Sequence, residues 1–87
     1  MSINWTSTGW QEYVYWQSED KKVLKRINRL VADIRRGGHE GHGKPEALKG
    51  NWSGWYSRRI DEKNRLIYRI EGSDIYIASC RGHYDDK

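Results

Sequence analysis

Six apolar residues, Val23, Leu24, Ile27, Leu30, Val31 and Ile34, recur at i, i+1, i+4, i+7, i+8 and i+11. That spacing draws one continuous apolar face along an α-helix. Lys21, Lys22, Lys25, Arg26 and Arg29 mostly take the other side. Arg35 and Arg36 suit the negative end of the helix dipole, and Gly37-Gly38 stops the helix. A helix with a single apolar face must bury it against another layer. The rest of the chain has to supply that layer.

Three stretches have the right pattern. Residues 55–60, 65–70 and 75–80 alternate, or nearly so, and read as strands joined by the turns Asp61-Glu62-Lys63-Asn64 and Glu71-Gly72-Ser73-Asp74. In the middle one, Leu66, Tyr68 and Ile70 face one way while Arg65, Ile67 and Arg69 face the other. Upstream, residues 3–5 form a short strand. Thr8, three residues before Gln11, makes a capping box for a first helix with Trp10, Tyr13, Val14 and Gln17 on one face. Ser18, followed by Glu19 and Asp20, reads as the cap of the second helix. The loop HEGHGKPEALKG has no periodicity. Pro45 argues against a strand there and suits the first position of a helical turn over 45–49. The expected order is β-α-α-loop-β-β-β, a single two-layer α+β domain spanning 1–87, with residues 85–87 as a short tail. A helical hairpin covers one face of a mainly antiparallel sheet, and the arginine-bearing face is left open.

Composition then narrows the function. A chain of 87 residues buries only about 60–65% of its unfolded surface, so its core needs large side chains. With no Phe, 5 Trp and 6 Tyr fill that role, and their polar tips require partners. The lone Cys80 allows no internal disulfide and suits a reducing cytoplasm. Neither a signal peptide nor a membrane-spanning run is visible. The formal charge is +4, and all of the excess lies in residues 44–69, which hold seven basic and three acidic side chains together with Trp52, Trp55, Tyr56 and Tyr68. Cations interleaved with aromatics fit single-stranded RNA, whose unstacked bases can lie on aromatic faces. The bland alternative is a solvated basic strand surface.

Cutting RNA without a metal needs a base for the 2′-OH, an acid for the departing 5′-oxygen and cations for the phosphorane. Glu46 beside Lys44 and Lys49, Arg65 on a strand, and His83-Tyr84 after the last strand are the right residue types. Each has an ordinary reading: Glu46 as a surface ion pair with Lys49, Arg65 as an exposed strand residue, His83 as a solvated side chain. His39, Glu40 and His42 do not match a recognised metal-ligand spacing.

The runs WQEYVYWQSEDKKVLKRINRLVADIRR, EGHGKPEALKGNWSGWYSRRIDEKNRLIYRI and IASCRGHY resemble the YoeB family of the RelE-like toxin superfamily, over residues 3–84 and without a gap. The combination of G-K-P-E-x-L-K, S-R-R-I, N-R-L-I-Y and C-R-x-H-Y carries the resemblance. It implies a RelE-like toxin fold and a toxin that enters the vacant ribosomal A site and cleaves the mRNA codon there by 2′-OH attack. Within that resemblance Glu46 matches the general base and His83 the general acid. Arg65 matches the arginine that stabilises the pentavalent phosphate, and Tyr84 the tyrosine that places the substrate. Lys44, Lys49, Arg58 and Arg59 are expected at phosphate or rRNA. No metal or organic cofactor is implied. The implied partners are mRNA and the ribosome, a YefM-like antitoxin, operator DNA only through the antitoxin complex, and a second copy of the chain as a homodimer. Two features depart from the family: Asp85-Asp86-Lys87 follow His-Tyr, and Gly82 precedes His83. The competing expectations are a ParE-like gyrase inhibitor and a plain RNA-binding module.

Overall fold

The computed structural model describes residues 2–82. Its elements are β1 (Ile3–Trp5), α1 (Ser7–Glu19), α2 (Lys21–Gly37), β2 (Glu46–Ala47), a 3-10 turn (Gly50–Trp52), β3 (Tyr56–Arg59), β4 (Arg65–Glu71) and β5 (Asp74–Ser79). The five strands form one sheet in the order β1-β5-β4-β3-β2. β1 runs parallel to β5 and every other neighbouring pair is antiparallel. The α+β architecture is the expected one, with the helical hairpin on one face. No helix among the described residues is long and apolar enough to cross a membrane.

The apolar stripe of α2 behaves as its spacing requires. Val23, Ile27, Leu30, Val31 and Ile34 are buried with Ile60, Leu66, Tyr68, Ile75, Ile77 and Cys80, and Leu24 packs at the margin. Each such side chain contributes about 1.5–3 kcal/mol by leaving water. The helix starts fall two residues away from expectation. Thr6, not Thr8, caps α1. Its hydroxyl accepts the Gly9 N–H at 3.0 Å and donates to the Ala78 carbonyl at 2.9 Å, so the cap is also tied to the sheet. Asp20, not Ser18, caps α2 by accepting from the Lys22 and Val23 N–H groups. The Asp20 N–H also donates to the Trp16 carbonyl, so one residue closes α1 and opens α2.

Residues 46–47 form an edge strand rather than the helical turn expected over 45–49. Pro45 precedes it at the rim of the sheet, where its missing N–H costs no ladder bond. The turn of helix comes later, at Gly50–Trp52.

β5 departs from simple alternation. Tyr68 pairs with Ile77 but Ile67 pairs with Ser79, so Ala78 is an extra residue, a β-bulge. The bulge keeps Ile75 and Ile77 in the core, sends Ser79 to the open face and returns Cys80 to the interior beneath Trp16, whose indole N–H donates to the Cys80 carbonyl at 2.9 Å. α1 crosses at the bulge through Gly9, where a Cβ would stand 2.7 Å from the Ile77 carbonyl oxygen.

Arg58 requires a correction. It was expected to contact phosphate, yet it is fully buried. Strand parity explains this: Tyr56, Arg58 and Ile60 face the helices, whereas Ser57 and Arg59 face the open side. Its guanidinium pairs with Asp33 at 3.0 Å and donates to the Gly38, Glu40 and His42 carbonyls and the Tyr68 hydroxyl. The loop after α2 is thereby wrapped around one cation. Gly41 and Gly43 have positive φ, and a Cβ at Gly41 would collide with the Asp33 carboxylate.

Gly9→Ala should therefore lower stability by about 1–3 kcal/mol, because the helix cannot retreat from the bulge without losing the Thr6 cap; urea unfolding measures this. A second prediction concerns acid. The Asp33 carboxyl is held below its usual value, first by the N–H of His42, with burial opposing and Arg58 assisting. A depressed folded-state pKa stabilises the fold above the unfolded value of 3.8, and that contribution is lost as the pH falls through the folded value. Urea midpoints of the wild type should fall across that window. Asp33→Asn should be less stable at neutral pH and show a shallower acid slope, with Asp61 and Asp74, also depressed, accounting for the remainder.

Candidate active site

The open face of the sheet can be read from the pairing register, because paired residues project to the same side. Glu46, Ser57, Ile67 and Ser79 are successive Cα partners and form one row across β2, β3, β4 and β5, of which Ser57 and Ile67 are buried, so this side of the sheet is exposed at Glu46 and, in the neighbouring row, at Arg59. The adjacent row on the same side holds Arg59 opposite Arg65. Arg69 and Tyr76 make the row beyond Ile67. From standard strand spacing, Glu46 and Arg65 have Cα atoms about 12 Å apart, within reach of one phosphate placed between them. Lys44 and Lys49 flank β2, both exposed, with Lys44 at a φ of 52°.

The electrostatics of this face are unbalanced. Like charges directly opposite each other in a sheet are destabilising. Arg59 and Arg65 nevertheless share a register position, and neither has a carboxylate partner among the described residues. Arg65 is held by carbonyl dipoles instead: its guanidinium donates to the Asp61, Asn64 and Glu62 carbonyls at 2.7, 3.1 and 3.4 Å. Glu46 is exposed, and the surface ion pair with Lys49 that composition suggested is not formed. Among the described residues the face presents a carboxylate and two guanidiniums that no carboxylate neutralises, an arrangement suited to an anion carrying an acidic proton nearby.

The chain after β5 is fixed to α1 and then to the turn before β4. The Cys80 N–H donates to Glu12 at 2.8 Å, and Arg81 lies 3.9 Å above the Tyr15 ring. The Gly82 N–H donates to the Asn64 side chain at 2.8 Å, and the Gly82 carbonyl accepts the Arg65 N–H at 2.9 Å. Gly82, unexpected beside a functional residue, has a φ of 77°, a conformation that glycine adopts without strain. His83 and Tyr84, the expected acid and substrate-placing residues, lie outside the described residues, as does the 85–87 tail.

Several other groups are accounted for structurally. His39 stacks on Tyr56 at 3.7 Å and shares a hydrogen bond with the Tyr68 hydroxyl, while the His42 N–H holds Asp33. Among the described residues no cluster of three His, Cys, Asp or Glu side chains is placed to take a metal ion. Burial, with Glu12 adding to it, pushes the Cys80 thiol up to about 12, which leaves it protonated and without nucleophilic use. Sequence reasoning missed Asn64, whose side chain joins the Asp61 turn to Gly82. Its signal was available only as an Asn in a turn. It also missed the groove beside Trp52 and Trp55, whose rings meet edge to face at 5.7 Å with Arg69 set 5.8 Å from the Trp55 ring.

Comparison with known proteins agrees with this fold. A family model described as the YoeB-like toxin of bacterial type II toxin-antitoxin systems matches residues 5–84. The chain is 49% identical over 84 residues to Toxin YoeB of Escherichia coli strain K12, covering 97% of this chain and 100% of that one. The solved YoeB/ParE toxin from Agrobacterium tumefaciens superposes with a TM-score of 0.93 at 40% identity, covering 97% and 100% of the two chains. A YoeB dimer from Staphylococcus aureus gives 0.90 at 46%, covering 97% and 98%. A heterotetrameric YoeB-YefM complex from the same organism gives 0.89 at 47%, covering 94% and 95%. The motifs, the mixed five-stranded sheet and these matches lead to one family: the chain belongs to the YoeB-like toxins of bacterial type II toxin-antitoxin systems.

Proposed function

We propose that this toxin is a metal-independent endoribonuclease that cuts mRNA in the vacant A site of the ribosome and so stops translation. The observation that carries the reading is the Arg59–Arg65 register pair, without a carboxylate partner among the described residues, on the face that also presents Glu46. A sheet tolerates that repulsion at a site that receives an anion.

In this mechanism Glu46 takes the proton from the ribose 2′-OH, and the freed oxygen attacks the adjacent phosphorus. Arg65 stabilises the charge on the phosphorane oxygens. His83 donates a proton to the departing 5′-oxygen, and Tyr84 places the substrate. The products are a 2′,3′-cyclic phosphate and a 5′-hydroxyl. His83 follows Gly82 by one peptide bond, and the Gly82 carbonyl is bonded to the Arg65 N–H, which supports a role for His83 near the same phosphate. Lys44, Lys49 and Arg59 hold substrate phosphate or rRNA. Arg58 has no part in this, since its donors are committed inside the fold.

The same reading assigns partners. An antitoxin of the YefM kind covers the basic face through a segment that folds on binding, and the pair binds operator DNA mainly through the antitoxin. A second copy of the chain forms a homodimer, as the YoeB of S. aureus does. The working compartment is the cytoplasm, where ribosomes and mRNA meet.

Primer extension on a defined mRNA, with programmed ribosomes whose A site is empty, tests the reaction. Wild type should cut within the A-site codon, and Glu46→Ala should reduce the rate by roughly 10²–10⁴-fold, the range for losing a proton-transfer group. Intact mRNA alongside toxicity in cells would instead favour the gyrase-inhibitor reading. Arg59→Glu should weaken ribosome association most at low salt without lowering the melting temperature, since it removes the like-charge pair with Arg65. An unaltered salt dependence would remove Arg59 from rRNA contact. Arg58→Glu, by contrast, should fail in the melt before binding is measured.

A further inference from the structure

The open face carries a second feature that the catalytic reading does not use. A groove of about 540 Å³ lies between the start of α1 and the 3-10 turn, lined among others by Trp52, Trp55, Ala78, Ser79, Arg81 and Glu12. Its size is that of a small-ligand site. We propose that this groove is a nucleobase-stacking subsite, which takes one base of the single-stranded RNA bound along the sheet. The inference rests on the reading of this face as an RNA surface and adds a specificity site to it.

Position is the first argument. Ser79 is the far end of the row that begins with Glu46, so the groove stands on the same face, about 14 Å from Glu46 across three strand intervals. The base it holds therefore belongs to a nucleotide away from the scissile bond on the same strand. The bulge at Ala78 creates this site, because it turns Ser79 outward and opens the sheet where α1 begins.

Chemistry is the second. Trp52 and Trp55 are half-buried, so each keeps part of its ring in solvent after packing. A base offers a π-face to either ring, whatever its identity. Glu12 gives one oxygen to the Cys80 N–H, and its other oxygen makes no hydrogen bond among the described residues. A carboxylate in the groove repels a phosphate but accepts an N–H from a base edge. Two guanidiniums are set around it: Arg69, ion-paired with Glu71, beside Trp55, and Arg81 against Tyr15. Base inside and phosphates toward the guanidiniums is the arrangement these charges favour.

The test uses the full chain carrying Glu46→Gln, so that RNA is bound without being cut. A single-stranded hexaribonucleotide and an abasic ribose-phosphate hexamer of equal charge are titrated, with tryptophan emission and the anisotropy of labelled RNA as readouts. The base-containing strand should bind roughly 10- to 100-fold more tightly, the range for one stacked base, and quench emission. Adding Trp52→Leu or Trp55→Leu, which keeps an apolar cover over the sheet, should shrink that gap. Affinity for the abasic strand and the melting temperature should stay the same. An unchanged gap in both variants overturns the subsite. So does quenching by an acidic peptide carrying an aromatic residue, with no base dependence in RNA binding, which would make the groove a peptide site. Failure of ribosome-dependent cleavage with base-dependent binding intact would remove the nuclease reading and leave the subsite standing.

Discussion

A buried guanidinium organises much of this small protein. Arg58 enters the interior because strand parity aims it at the helices, and an isolated charge there would be prohibitively costly. The fold answers with one carboxylate from α2, three loop carbonyls and a tyrosine hydroxyl. Those contacts give the 38–43 loop, which has no apolar residue to bury, a reason to close over the end of the core. The Gly43 carbonyl then accepts the Arg59 N–H, and β2 begins three residues later. The placement of Glu46 on the open face thus begins with a charge that never reaches solvent. Neighbouring arginines have opposite fates: one organises the interior and the other is exposed on the candidate site.

The two faces of the sheet differ in what they carry. The helix side buries a continuous apolar cluster, while the other side keeps Arg59 opposite Arg65. The β-bulge mediates between them, since one inserted residue lets β5 serve the core up to Ile77 and again at Cys80 while presenting Ser79 outward. Gly9 is the matching feature on α1, small enough to let the helix lie against that irregular stretch.

Much of this was legible in the residues, and the remainder was hidden for identifiable reasons. The α2 stripe and the three long strands declared themselves by period, and the fold class followed. The caps slipped by two residues because several hydroxyl and carboxyl groups stand close together at each helix start. The choice among them depends on contacts such as Thr6 with Ala78, which are remote in sequence. β2 has two residues and no period to detect. Arg58 was separable from Arg59 by parity, lying between Tyr56 and Ile60 on one face, but a count of clustered charge treats the two alike. Of the candidate site, Glu46 and Arg65 come to the same face, and Asn64 entered only with the structure.

The pairing of β1 with β5 bears on how the toxin comes into being. Ile3 and Ile75 are register partners, so the first strand waits for the last one before it has a neighbour. Such a contact is slow to form, because a long loop must close first. The helical hairpin, joined through the single residue Asp20, can form early and locally. During synthesis the nascent chain therefore holds its helices ready while the sheet remains open. The first strand is therefore among the earliest segments made and among the last to find its place in the sheet that carries the candidate site.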